Sequence, residues 1–328
     1  MDALLLHNYL DKPLWMWLGF LALILVLVVI DLGGFNRRQE EIGVRKSLYL
    51  SCFYIALSLL FGLWIWAQMG QESALEYYTG YVIEKSLSMD NLFVMSVIFG
   101  ALSIPRRYQH RVLFWGILGV IMLRGLMIGL GAALLHQFEW VLYLFAAFLI
   151  VTGMKLLFWD GGEDDHEDTV KHNPIIRYLR RRFKITETIH EQRFFVRLPT
   201  TENTSRSVLY MTPLFLALVT IEFADVIFAV DSVPAVFAIT TDTYIVFTSN
   251  IFAILGLRAL YFTLSAAIER FHYLKYSVAA VLVFIGAKVF IPIITPLEKI
   301  PAVFSLSITL GLILFGAVYS LIKTKPAQ

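Results

Sequence analysis

The sequence predicts an all-α polytopic membrane protein of about nine transmembrane helices, and three observations carry that expectation. Hydrophobic residues make up 58% of the 328 and charged residues only 16%, against about half and a quarter in an ordinary soluble domain. Stretches of about 20 mostly apolar residues, enough to cross the hydrocarbon core, recur along the whole chain. The lysines and arginines between these stretches fall almost entirely on one side. The net charge of +2 is too small for a nucleic-acid binder. The single cysteine, Cys52, excludes a disulfide scaffold and any cysteine-rich metal site.

The first span, 14–32, opens Leu14-Trp15-Met16-Trp17 and contains the apolar run Leu21 to Ile30. It lacks a basic start and a small-residue cleavage site, so it reads as a retained helix and not a signal peptide. Spans at 47–67, 74–100, 111–134 and 139–158 complete a first block, 1–158. A charged loop fills 159–207. Spans at 208–238, 243–267, 274–294 and 302–322 form the last block, 208–328. The third and sixth spans are too long for simple rods, so each is expected to begin with an amphipathic or re-entrant piece or to contain a break. Within the loop, the acidic cluster Glu163 to Asp168 reads as a solvated charge run. The basic segment Arg177 to Arg182 suits the anionic inner leaflet, and Arg193-Phe194-Phe195-Val196-Arg197 is strand-like.

With the loops after odd-numbered spans on one side, that side holds 20 of the 27 Lys and Arg, and the other holds only Lys12 and Lys299. The positive-inside rule then places the N-terminus outside and the C-terminus in the cytoplasm. The remaining five, Lys85, Arg124, Lys155, Arg258 and Lys288, fall inside spans.

Spans 3–5 (74–158) and 6–8 (208–294) align with each other. Asp90 falls on Asp225, Arg124 on Arg258 and Lys155 on Lys288. Each unit has three spans, an odd number, so the second is inverted relative to the first. Inverted repeats are a mark of secondary transporters, whose substrate sits near the midplane between the units.

Six acids lie in or at the edge of spans: Asp31, Glu84, Asp90, Glu222, Asp225 and Asp231. An ionised side chain at the helix centre costs about 2.5–3.5 kcal/mol on insertion scales, so these groups must meet one another, a cavity or an ion. A structural salt-bridge core made with the five bases is one reading. Glu222, Asp225 and Asp231 crowd one segment that has no cation in it, which favours neutralisation by a bound cation or protons. Glu84 and Asp90 are six apart, as are Asp225 and Asp231, about 120° on a straight helix. Local breaks, which Pro234 suits, would bring each pair to one centre. Carboxylates, the Asn91 amide, hydroxyls and carbonyls are hard oxygen donors suited to Mn, Ca or Mg. Met89 and Met95 flank the site and would tilt it toward manganese if a thioether ligates. No nucleotide-binding motif is present, so energy would come from an ion gradient or the membrane potential. No catalytic constellation can be named, and no enzyme or prosthetic group is expected.

The run Glu84-Lys85-Ser86-Leu87-Ser88-Met89-Asp90-Asn91 and the run from Glu222 to Pro234 resemble the TerC family, in its Alx-like branch. Thr248 to Arg258, which includes Asn250, and Arg193 to Arg197 are similarly characteristic. The resemblance spans about residues 14–322. It implies a relation to LysE-type exporters and a bacterial inner-membrane exporter of Mn(II), with the lipid bilayer and Mn2+ as its partners. It also implies that Glu84, Asp90, Glu222, Asp225 and Asp231, with Asp31, form the family's acidic positions. Met89 stands where many members carry a small aliphatic residue. The family takes its name from tellurium resistance, and a membrane scaffold for metal delivery or for a stress complex is the alternative.

Overall fold

A computed structural model of the chain describes residues 8–9, 12–35, 44–138, 140–158, 183–186, 188–200, 203–264, 273–294 and 300–323. The side chains of Asp31, Met89, Asp90 and Arg258 lie outside this description, as do the loop clusters 163–168 and 177–182. The described helices are α1 (Leu14–Phe35), α2 (Val44–Met69), α3 (Gln71–Ala101), α4 (Arg106–Gln137), α5 (Val141–Phe158), α6 (Pro213–Phe237), α7 (Thr243–Leu255), α8 (Leu257–Leu264), α9 (Leu274–Ile294) and α10 (Ala302–Lys323). The protein is an all-α polytopic membrane protein. Among the described residues, seven helical segments are long and apolar enough to cross a bilayer, and α1 carries the further apolar stretch Leu14–Ile30. α3 is longer than these segments require but more polar. At 31 residues it is about 46 Å long, and Glu84 and Asn91, which make it polar, are buried inside the protein.

Large apolar side chains cover the outside, including Leu25 and Val29 of α1, Leu126 and Leu130 of α4, and Leu314, Phe315 and Ile322 of α10. Such a surface has no place in water and fits hydrocarbon. The turn from α2 into α3 is made by Gly70, whose φ of 93° suits glycine. Asp242 caps α7 by accepting from the amides of Tyr244 and Ile245, and its other oxygen meets Lys12 at 2.7 Å.

The strand-like segment proves to be half of a hairpin. β1 (Phe195–Thr200) pairs antiparallel with β2 (Asn203–Met211). Thr212 ties it to the start of α6, donating its hydroxyl to the carbonyl of Arg193 and its amide to that of Phe194. The excess length at the start of the sixth span is therefore strand, and the helix begins at Pro213.

α3 packs on α7 and α6 packs on α4, while α3 meets α6 and α5 meets α9. The last contact is reciprocal. A Cβ on Gly153 would lie 2.7 Å from the carbonyl oxygen of Ala279 and against Val283. A Cβ on Gly286 would lie 2.6 Å from the carbonyl oxygen of Ala146 and against Ile150.

Two sequence expectations are corrected. α3 is one unbroken helix, and so is α6, in which Pro234 sits in the last turn. There the missing N–H costs one hydrogen bond of a helix that ends at Phe237. The interruption falls instead in the seventh span, between α7 and α8 at Gly256.

Candidate functional site

Four helices meet around Arg124, which is 1% exposed although it lies inside a span. Its guanidinium forks onto Asp225 of α6, with Nε 3.1 Å from Oδ2 and Nη2 3.0 Å from Oδ1. Nη1 donates to Glu84 of α3, to Ser232 Oγ of α6 at 3.1 Å and to Asn250 Oδ1 of α7 at 3.1 Å. Asn250 returns a bond from Nδ2 to Glu84 Oε2 at 2.9 Å. Asn91 Nδ2 reaches Asp225 Oδ1 at 3.3 Å. All six side chains are buried.

Helix geometry explains the selection. Glu84 and Asn91 are seven residues apart on α3, and Asp225 and Ser232 are seven apart on α6. Seven residues make two turns to within about 20°, so each pair shares a face. Asp225 and Asp231, six residues apart on the unbroken α6, do not share one. Asp231 points elsewhere on α6 and stands within electrostatic reach of Lys155 on α5. Lys288 of α9 stands within reach of Glu76, an acid the sequence reading passed over. Lys85 joins no carboxylate among the described residues; its ammonium donates to the carbonyl of Ala253 at 3.0 Å.

The described network carries one cationic group and two carboxylates. A third acid, Glu222, lies one turn before Asp225, against the Gly116 and Gly119 face of α4. Both its carboxylate oxygens are buried with no hydrogen-bond partner among the described residues, and so is Asn91 Oδ1. A Cβ on Gly119 would lie 2.6 Å from Glu222 Oε2, so this glycine makes the room that the carboxylate occupies. Among the described residues no three His, Cys, Asp or Glu side chains converge as a ready metal cage. Asp31, Asp90 and Arg258, which the sequence reading also named, have undescribed side chains.

Sequence reasoning found Glu84, Arg124, Asp225, Asn91 and Asn250. It missed Ser232 and Gly119. A search for polar residues seven apart on one span would have found Ser232, whereas only the approach of α6 to α4 shows the role of Gly119.

Buried apolar and aromatic side chains pack before and after the network along α3. On one side stand Tyr77 and Tyr81 with Tyr244 and Phe252; on the other stand Leu92, Ile98 and Phe99 with Tyr261 and Leu257. Beyond the second layer a cavity of about 330 Å³ is lined by Ser96, Phe99, Gln109 and Tyr261 among others, and the Tyr261 hydroxyl donates to Gln109 Oε1 at 3.1 Å.

Comparison with known proteins agrees with this membrane architecture. The family described as "Integral membrane protein TerC family" matches residues 69–328. An uncharacterized membrane protein of Rickettsia bellii (strain RML369-C) is 46% identical over 307 residues, 94% of this chain and 97% of that protein. One of Myxococcus xanthus is 45% identical over 312 residues, 95% of this chain and 93% of its own length. Alx of Escherichia coli (strain K12), provisionally described as a membrane-bound redox modulator, is 42% identical over 315 residues, 93% of this chain and 94% of that protein. No solved structure matches significantly.

Proposed function

The chain belongs to the TerC family of integral membrane proteins, and from that premise we propose that it exports a hard divalent cation, Mn(II) foremost, across the bacterial inner membrane. The observation that carries the reading is the charge balance of the buried site. Among the described residues one arginine faces two carboxylates, and the neighbouring Glu222 and the Asn91 carbonyl oxygen have no donor. Excess negative charge in a low dielectric requires a cation or protons to neutralise it. Unsatisfied oxygens of this kind suit Mn, Mg or Ca.

Glu222 and Asp225 of α6, with Asn91 of α3 beside them, are the described residues offered to the ion as substrate, and Asp90 is proposed to join them. Arg124 holds Glu84 and Asp225 in place between ions and prevents their mutual repulsion. Two inverted three-span units, α3–α5 and α6–α9 (α7 and α8 forming one span), would rock about this centre. The exchange packing of α3 on α7 and α6 on α4 supports this, as does the reciprocal glycine contact of α5 with α9. Apolar layers on both sides fit an occluded state of an alternating-access cycle. The 20-to-2 distribution of basic residues supports an outside N-terminus and a cytoplasmic C-terminus. A redox role, as the description of Alx suggests, finds less support, because Cys52 is the only cysteine and no thiol pair can form within the chain. On this reading the protein is a carrier and not an enzyme.

The test is manganese uptake into everted vesicles containing the wild-type chain or Asp225→Asn. Uptake by the wild type that is lost in the variant, with equal protein in the membrane, is the expected result. Equal rates would refute the proposal.

A further inference from the structure

We propose that Lys85 is a tethered cation. Its ammonium fills, at the broken seventh span, a backbone-carbonyl end that would otherwise take a small monovalent cation.

The segment Thr243–Phe262 is apolar enough to cross the membrane, yet it is interrupted at Gly256, so α7 ends inside the protein. The final carbonyls of a helix have no N–H of their own helix to accept from, and together they carry about half a negative charge. In a continuous helix the carbonyl of Ala253 would accept from the amide of Leu257. Among the described residues its recorded donor is Lys85 Nζ, at 3.0 Å. Half-helix C-termini inside membranes are places where transporters hold a coupling cation. A lysine ammonium is a compact point charge able to occupy such a place.

Three further observations fit a built-in ion better than a displaced salt-bridge partner. Glu84 is the neighbour of Lys85 in sequence, but it pairs with Arg124 on a different face of α3. Lys85 makes no ion pair among the described residues, so the carbonyl end is what its charge meets. Residue 256 is glycine, and a Cβ there would lie 2.8 Å from Lys85 Nζ, so the break itself leaves space for the ammonium. The break is also particular to this position. α4, which the sequence aligns with α7 and α8, runs unbroken from Arg106 to Gln137.

The consequence is that no free monovalent cation is needed at the end of α7, because the chain carries its own. Removing the lysine turns the position into a site for sodium or a small ammonium ion. This inference rests on the helix break and the Lys85 contact, not on the identity of the transported ion. Its readout is stability, so it can fail while the export reading stands, and the reverse.

The experiment is thermal unfolding of the purified full chain, wild type and Lys85→Ala, in sodium, ethylammonium, choline or tetramethylammonium chloride at matched ionic strength. The variant is expected to melt several degrees below the wild type in choline. It should recover saturably in sodium or ethylammonium and not in tetramethylammonium, while the wild type responds equally to all four salts. A variant that melts like the wild type, or that is restored by no cation or equally by all, overturns the proposal. If Lys85→Ala does not accumulate as folded protein, Lys85→Gln replaces it, keeping an N–H donor without the charge. Lys85→Gln is expected to melt low and to respond to sodium. Wild-type melting in choline, or low melting without a sodium response, overturns the proposal.

Discussion

Arg124→Gln is the substitution whose effect follows most directly from the structure. The side chain is 1% exposed, and it joins Glu84 and Asp225, which are 0% and 2% exposed. Gln can replace at most one or two of its bonds and supplies no charge. Removing one partner of a buried ion pair costs about 3–5 kcal/mol, and here two carboxylates lose the same partner, so the loss belongs at the upper end. At roughly 2–4 °C per kcal/mol, the scaling for large domains, a loss of about 5 kcal/mol should lower the melting temperature by roughly 10–20 °C. Unfolding of the detergent-purified protein, followed by loss of the monodisperse peak after heating, measures it. The control is the triple variant Glu84→Gln, Arg124→Gln, Asp225→Asn. Because a buried ionic cluster removed as a whole is often nearly neutral, the triple should recover most of the loss. An Arg124→Gln protein that melts within a degree of the wild type would refute the reasoning, and so would a triple variant no more stable than the single one.

Three other substitutions test separate parts of the structure. Gly119→Ala should abolish most manganese uptake while lowering stability by only about 1 kcal/mol or less, because the atom it displaces is the flexible end of Glu222; wild-type uptake would show that the carboxylate position is unimportant. Gly153→Ala and Gly286→Ala each press a methyl on backbone oxygen, which cannot yield like a side chain. Each should cost about 1–3 kcal/mol, with similar melting losses because the contact is reciprocal. Asp242→Ala should lose about 0.5–2 kcal/mol with the cap of α7. Asp242→Asn, which keeps the cap, should lose only the Lys12 pair, about 0–1 kcal/mol; comparing the two melting temperatures decides whether the cap or the pair matters.

Much of the architecture was legible along the chain because hydropathy is a local property. Whether a stretch such as Val141–Phe158 leaves water depends on its own side chains, so the apolar helices came out close to their expected bounds. The hairpin was half legible. The strand-like run Arg193–Arg197 marked one strand, but its partner β2 was partly absorbed into an over-long sixth span, since Val208 to Met211 is apolar in either setting. Pro234 was misleading for a related reason. Proline breaks a helix only where its missing hydrogen bond matters, and three residues from the end it matters little. The actual break at Gly256 has no comparable local mark, because Gly also occurs at Gly125 and Gly129 within the continuous α4.

At the site, the sequence by itself determined which groups would be costly in the membrane, and therefore which had to meet: Glu84, Arg124 and Asp225 were named for that reason alone. Only the tertiary structure decided the partnership. It gave one arginine to two acids, set Asp231 within electrostatic reach of Lys155, left Glu222 without a donor among the described residues, and sent Lys85 to a helix end. The division has one physical cause. The cost of burying a charge belongs to the residue and its solvent, whereas its neutralisation depends on distances between atoms far apart in the chain, such as the 168 residues between Lys85 and Ala253, and only the packing of helices sets those distances.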